Sequence, residues 1–186
     1  MTLSASAPRQ LIHKRTVECC GYERDDGLWD IEGHITDVKT HEVTHDDRGS
    51  VPPGRPIHDM WIRLTMDLDM KIQDCQAHTV HSPYQTCGEI VPNYKVLVGE
   101  TIKAGWTQRT RQLLGGTKGC THLLELLGPV ATTAFQTLYA AREKRQPTGA
   151  DGKRPPLIDT CHAWSANGPM VMRRYPGFYS AVKKSE

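Results

Sequence analysis

Hydrophobic and polar positions alternate most cleanly in "GLWDIEGHITDVK", residues 27–39. Trp29, Ile31 and Ile35 fall on one face, and Asp30, Glu32, His34 and Thr36 on the other. A period of two predicts a half-buried strand. "GRPIHDMWIRLTMD", residues 54–67, repeats the pattern, with His58, Met60, Ile62, Leu64 and Met66 on one face. "DLDM" reads as a turn and residues 71–80 as the returning strand of an antiparallel hairpin. The intervening "THEVTHDDRGSVPPGRP" is polar and rich in Pro and Gly, and reads as a loop. "HSPYQTC" and "VPNY" are turn-rich, and "KVLVGETI" is expected to add a further short strand.

The second half changes period. "WTQRTRQLL" has helical composition and stops at Gly115-Gly116. Residues 120–144 carry the longest helical signal, with Leu124, Leu127, Ala131, Ala134, Phe135 and Leu138 as an apolar stripe. Pro129 lacks a backbone N–H and crowds the carbonyl four residues back, so a kink or break is expected near Gly128. "QPTGADGKRPP" reads as a linker or long surface loop. The tail is expected to form one more hairpin around Asn167-Gly168. The fold class is therefore α+β: an antiparallel sheet or partial β-barrel in the N-terminal half, with C-terminal helices packed on it. Residues 1–14 are expected to be a flexible leader and 15–186 a single domain.

Composition narrows the picture. The chain has 186 residues, enough for a sizeable core. A net charge of +2, with no basic stripe interleaved with aromatics, gives no reason to expect a nucleic-acid partner. No apolar run approaches the roughly 20 residues of a membrane span. The N-terminus has no apolar centre of a signal peptide, so a cytoplasmic protein with six reduced cysteines is expected.

Candidate chemistry sits where polar groups interrupt apolar rows. His58 heads a core face, where a low dielectric tunes its pKa for proton transfer. The plain alternative is a strand-end histidine bonded to backbone. Asp37 and Lys39 continue the parity of Trp29, Ile31 and Ile35, so two opposite charges end a second apolar row. There they would position a polar group or move a proton. The alternative is a strand that has already left the sheet. His122 and Glu125 share a helical face roughly opposite the expected apolar stripe, as an acid/base pair or as solvated surface. "GGTKG" looks like a phosphate loop only superficially, because Lys118 is followed by Gly119. "HEVTH" matches HExxH in its letters, with His41, Glu42 and His45, but it lies in the expected loop, whereas that motif needs a helix to bring both histidines to one face. Cys120 with His122, and Cys161 with His162, offer soft ligands, but no CxxC pair supports a structural zinc site. Neither a metal nor a cofactor is expected, since no dinucleotide, nucleophile-elbow or cofactor-lysine motif occurs.

"YERDDGLWDIEGHITDVK", "PIHDMWIRLTMD", "CTHLLELLGPVATTAFQT" and "DTCHAW" together resemble the bacterial DUF2889 family. The resemblance runs over residues 13–179 and implies a single bacterial domain. It assigns no role to His58 or His122. Through relatives it implies catabolism of plant-derived aromatics. One such activity is a cofactor-independent lyase that removes a hydroxymethyl group as formaldehyde from phenylcoumaran-type lignin dimers.

The resulting expectation is a carbon–carbon lyase of the aldehyde-lyase type, acting on a small aromatic substrate. His58 would be its general base, Lys39 an electrostatic partner for a phenolate, and Asp37, His122 and Glu125 the remaining acid/base groups. Tyr22, Arg24, Trp61 and Trp29 would contact substrate. The alternatives are a non-catalytic small-molecule-binding or accessory module and a metal-dependent hydrolase. A homodimer is the default assembly because symmetric dimers are common.

Overall fold

A computed structural model describes residues 3–148 and 152–181. Two compact units form, Met1–Leu138 and Tyr139–Glu186. In the first, β1 (His13–Glu23), β2 (Trp29–Lys39), β5 (Pro56–Met66) and β6 (Ile72–His81) make one antiparallel sheet in the order β1-β2-β5-β6. The sheet is open, with β1 and β6 as edges, rather than a barrel. β1 includes His13 and Lys14, the last two residues of the expected leader. The expected loop between β2 and β5 contains a small hairpin, β3 (Val43–His45) with β4 (Gly49–Val51).

Alternation in β2 and β5 becomes two chemically different faces. Trp29, Ile31, Ile35, Met60, Ile62, Leu64 and Met66 are all buried. This face is covered by α2 (Thr121–Arg145), which begins in the first unit. Two glycines let the helix lie close. A Cβ on Gly33 would sit 2.6 Å from Cγ2 of Val130, and one on Gly21 only 2.0 Å from Oγ1 of Thr137. α1 (Trp106–Leu114) packs alongside, with Trp106 Nε1 donating to the Leu127 carbonyl at 2.9 Å. The opposite face is polar and half-open, carrying Glu32, His34, Trp61 and Arg63.

Several sequence expectations are corrected. α2 runs unbroken through Pro129. Gly128, Pro129 and Glu125 all lie on its exposed side, where water can serve the Glu125 carbonyl that proline leaves without a donor. The buried stripe is Leu123, Leu126, Leu127, Val130, Ala131, Ala134 and Leu138, while Phe135 is exposed. The stripe is thus centred about one residue earlier than the expected Leu124 row. That rotation makes His122 flank the buried face instead of opposing it. "KVLVGETI" is not a strand. Val91–Leu97 is a 3-10 helix started by Pro92, and only Thr101 bridges to Lys71.

In the second unit the expected hairpin at Asn167-Gly168 is replaced by α3 (Pro169–Arg174), with Pro169 pre-set for a first helical turn. Before it, Asp159 accepts from the Ala166 N–H at 2.8 Å. The expected linker at 146–156 falls partly outside the described residues. No helix among the described residues is long and apolar enough to cross a membrane.

Candidate functional site

Three neighbouring strands place a side chain at the same level on the face beneath α2. Arg15 on β1 is the direct partner of Asp37 on β2, and Asp37 is the direct partner of His58 on β5. His13, two residues before Arg15, shares that face by parity. The N-terminal turns of α2 then bring His122 and Glu125 over the row. Period two in the strands and the phase of one helix are enough to assemble the cluster.

Asp37 is its centre, and its side chain is only 4% exposed. Both carboxylate oxygens are fully engaged. Oδ1 accepts from Arg15 Nε at 2.9 Å and pairs with His13 Nε2 at 2.7 Å. Oδ2 accepts from Arg15 Nη2 at 2.8 Å and pairs with His58 Nδ1 at 3.0 Å. Burial alone would raise the pKa of Asp37, but hydrogen bonds from Arg15 and His13 and the charge of the guanidinium outweigh it. The carboxyl is held well below its ordinary range and stays ionised. Arg15 is in turn held by Glu125, whose Oε2 accepts from Nη1 at 2.6 Å.

The two histidines beside Asp37 are also lowered, which for them favours the uncharged form. Burial, then the neighbouring His122, lower His58 to about 4 against the pull of Asp37. Burial, then Arg15, lower His122 as well. The rings stack at 3.7 Å between centroids. At neutral pH both are therefore uncharged, and the His58–Asp37 contact is a hydrogen bond rather than an ion pair. A neutral His58 facing a carboxylate carries its proton on Nδ1, so Nε2 is left as a lone-pair acceptor. His122 Nε2 lies 3.8 Å from Asp37 Oδ2, outside hydrogen-bond reach in this state.

One ligand atom each from Asp37, His58 and His122 fall within 4.8 Å of one another, a spacing a small metal site would need. The donor set argues against that use. The Arg15 guanidinium already covers both oxygens of Asp37, so a cation entering there would have to displace a bound positive charge. The residues fit an acid/base centre better than a metal centre.

The structure thus gathers Asp37, His58, His122 and Glu125 from the expected set. Lys39 does not join them. Lys39 ends β2 as the direct partner of His13, yet its side chain makes no hydrogen bond or ion pair among the described residues. His122 and Glu125 do not pair with each other, because Glu125 turns to Arg15. The expected substrate contacts lie elsewhere. Trp29 is buried in the core. Tyr22 and Arg24 are at the opposite end of β1, where Arg24 pairs with Asp26 and Asp30. Trp61 stands on the other face of the sheet, stacked on His34 at 3.7 Å. His34 Nε2 meets Asp59 Oδ1 there at 2.9 Å, so the same two strands carry a His–Asp pair on each face. Clefts occur beside Trp61 and Arg63, and between Trp106 and Phe135.

His13 and Arg15 were missed in the sequence. Their signal was the weak alternation of "HKRTVECC", which begins on charged residues. The phosphate-loop likeness gains nothing, since Lys118 Nζ turns back to the Gln112 carbonyl.

The family model described as "Protein of unknown function (DUF2889)" matches residues 13–136, which is well over half the chain and takes in the whole cluster. No curated protein and no solved structure matches the chain.

Proposed function

The chain belongs to the DUF2889 family, whose description names no reaction, and from its part-buried His58–Asp37 pair we propose a cofactor-independent lyase that works by acid/base chemistry. The substrate of this reading is a small lignin-derived aromatic, a phenylcoumaran that loses its hydroxymethyl group as formaldehyde. The supporting observation is the orientation of His58. Asp37 fixes Nδ1 at 3.0 Å and leaves Nε2 as the base.

In ring opening His122 takes the proton of the free phenol, the ring carbon–oxygen bond breaks to give a quinone methide, and the released phenolate oxygen takes up that proton. His58 Nε2 then takes the proton of the side-chain hydroxyl. The bond between the hydroxymethyl carbon and its neighbour breaks, formaldehyde leaves, and the electron pair enters the quinone methide to restore the aromatic ring. Arg15 supplies positive charge beside the oxygen that becomes a phenolate, and Glu125 holds Arg15 in place. His122, neutral and stacked on His58, is the second proton carrier. The reading takes the aromatic substrate as the partner, without nucleic acid, for a cytoplasmic homodimer.

The test is an incubation of purified, metal-quantified protein with a panel of lignin-derived phenolic dimers. Formaldehyde release is read alongside the mass of the aromatic product. A product lighter by formaldehyde is expected, and His58→Ala should lower turnover by about 100-fold or more while the protein stays folded. No release from any dimer overturns the reading. A clear ligand-induced thermal shift without product would instead favour a non-catalytic binding module.

A further inference from the structure

Cys120 immediately precedes α2 and has no part in the scheme above. One buried side chain holds its backbone at both polar atoms. Tyr94 Oη donates to the Cys120 carbonyl at 2.9 Å and accepts from the Cys120 N–H at 3.0 Å. The approach is tight enough to need glycine just before it. A Cβ on Gly119 would lie 2.3 Å from the Leu114 carbonyl oxygen and 3.1 Å from that hydroxyl.

The thiol is thereby aimed at the site. Cys120 Sγ is 4.0 Å from His122 Nδ1, and Nε2 of the same ring is 3.8 Å from Asp37 Oδ2. On its other side lies Met60 Sδ at 3.8 Å, a weak acceptor. An uncharged imidazole therefore stands between a thiol and an ionised carboxylate, the order in which a base activates a nucleophile. In the tautomer that carries its proton on Nε2, on the Asp37 side but beyond hydrogen-bond reach of it, the ring presents the Nδ1 lone pair to the thiol. The first hydrogen bond of α2 runs from Leu124 N–H to the Cys120 carbonyl. The N–H groups of Thr121, His122 and Leu123 come before it and, among the described residues, donate no hydrogen bond, so they can face negative charge developing beside the sulfur.

We propose that Cys120 is a nucleophilic thiol, activated by His122, which captures a small aldehyde as a hemithioacetal. The sulfur–carbon bond forms as the carbonyl π bond breaks. The thiol proton passes to His122 Nδ1 and from there to the alkoxide oxygen, so no oxidant or reductant is consumed. The choice of formaldehyde as the aldehyde rests on the lyase reading; the activation of the thiol does not.

The test is peptide-resolved labelling with iodoacetamide at neutral pH, which needs no turnover. Exposed Cys161 serves as the reference thiol and buried Cys75 as the check on folding. Cys120 should label about tenfold faster than Cys161, and His122→Gln should remove that advantage while Cys161 is unaffected. His122→Asn gives the same readout should the Gln variant expose Cys75. Prior incubation with formaldehyde should slow labelling of Cys120 selectively. Labelling no faster than Cys161, or indifferent to both His122 variants, overturns the activated thiol. Fast labelling that formaldehyde does not slow overturns the aldehyde assignment. Absence of formaldehyde release from phenolic dimers, by contrast, would overturn only the lyase reading.

Discussion

Nδ1 of His58 lies 3.0 Å from Oδ2 of Asp37, its direct partner across the β2–β5 ladder. The contact joins a neutral ring to an ionised carboxylate. It selects one tautomer, and that choice decides which ring nitrogen faces a substrate.

Asp37→Asn tests the selection. The amide keeps the shape of the carboxylate but can donate to Nδ1, which turns the ring to the other tautomer. Formaldehyde release should fall by about 100-fold, chiefly in kcat. A variant that releases formaldehyde at the wild-type rate would remove tautomer control from the mechanism.

Asp37→Ala addresses the cost of the cluster. It leaves the Arg15 guanidinium, His13 and His58 without the acceptor they share. Removing one side of a buried ion pair is expected to cost about 3 kcal/mol, read as a lower urea midpoint at unchanged slope.

Acid should destabilise the fold, with a sign set by the depressed pKa values. An unfolded chain takes up a proton on His58 at 6.5, while the native ring refuses it until about 4. Between those values the unfolded state binds more protons, so stability falls as pH falls. Asp37 acts in the same direction further into acid, since its native carboxyl resists protonation that the unfolded one accepts. The melting temperature should therefore drop from pH 7 to pH 4, and His58→Gln should flatten that slope. A steeper slope in the variant would contradict the assignment.

Gly33→Ala probes the seat of the helix. The new methyl would stand 2.6 Å from Val130 Cγ2 and force α2 off the sheet. A loss of about 1–3 kcal/mol is expected, part of which Val130→Ala in the same chain should recover. If the two changes are simply additive, the contact is not what limits the approach.

The strands β2 and β5 were legible because alternation is strong where one face is dry and the other wet. Their parity correctly put Asp37 and His58 on the inner face. Parity says nothing of reach, however: Lys39 ends the strand opposite His13, and among the described residues its side chain makes no hydrogen bond or ion pair. β1 was hard to see because its residues are mostly exposed at a sheet edge, so burial writes little pattern into them. That hid Arg15 and His13, the groups that keep Asp37 charged. The phase of α2 was misjudged by about one residue. Leu124 and Phe135 look like core but only flank it, and His122 consequently seemed to face water. Aromatic side chains gave no guide to the site at all, since Trp29 packs the core and Trp61 serves the opposite face.

All four strands of the main sheet precede α2 in the chain, so they leave the ribosome before His122 does. Arg15, Asp37 and His58 can meet as neighbours on a sheet still wet on that side. Their charges then pair at the dielectric of water, where bringing them together is cheap. Docking of α2 dries a carboxylate that is already neutralised by a guanidinium, instead of a bare one. The order of segments along the chain thus sets the order of pairing and drying, and the site becomes competent only at the last of these steps.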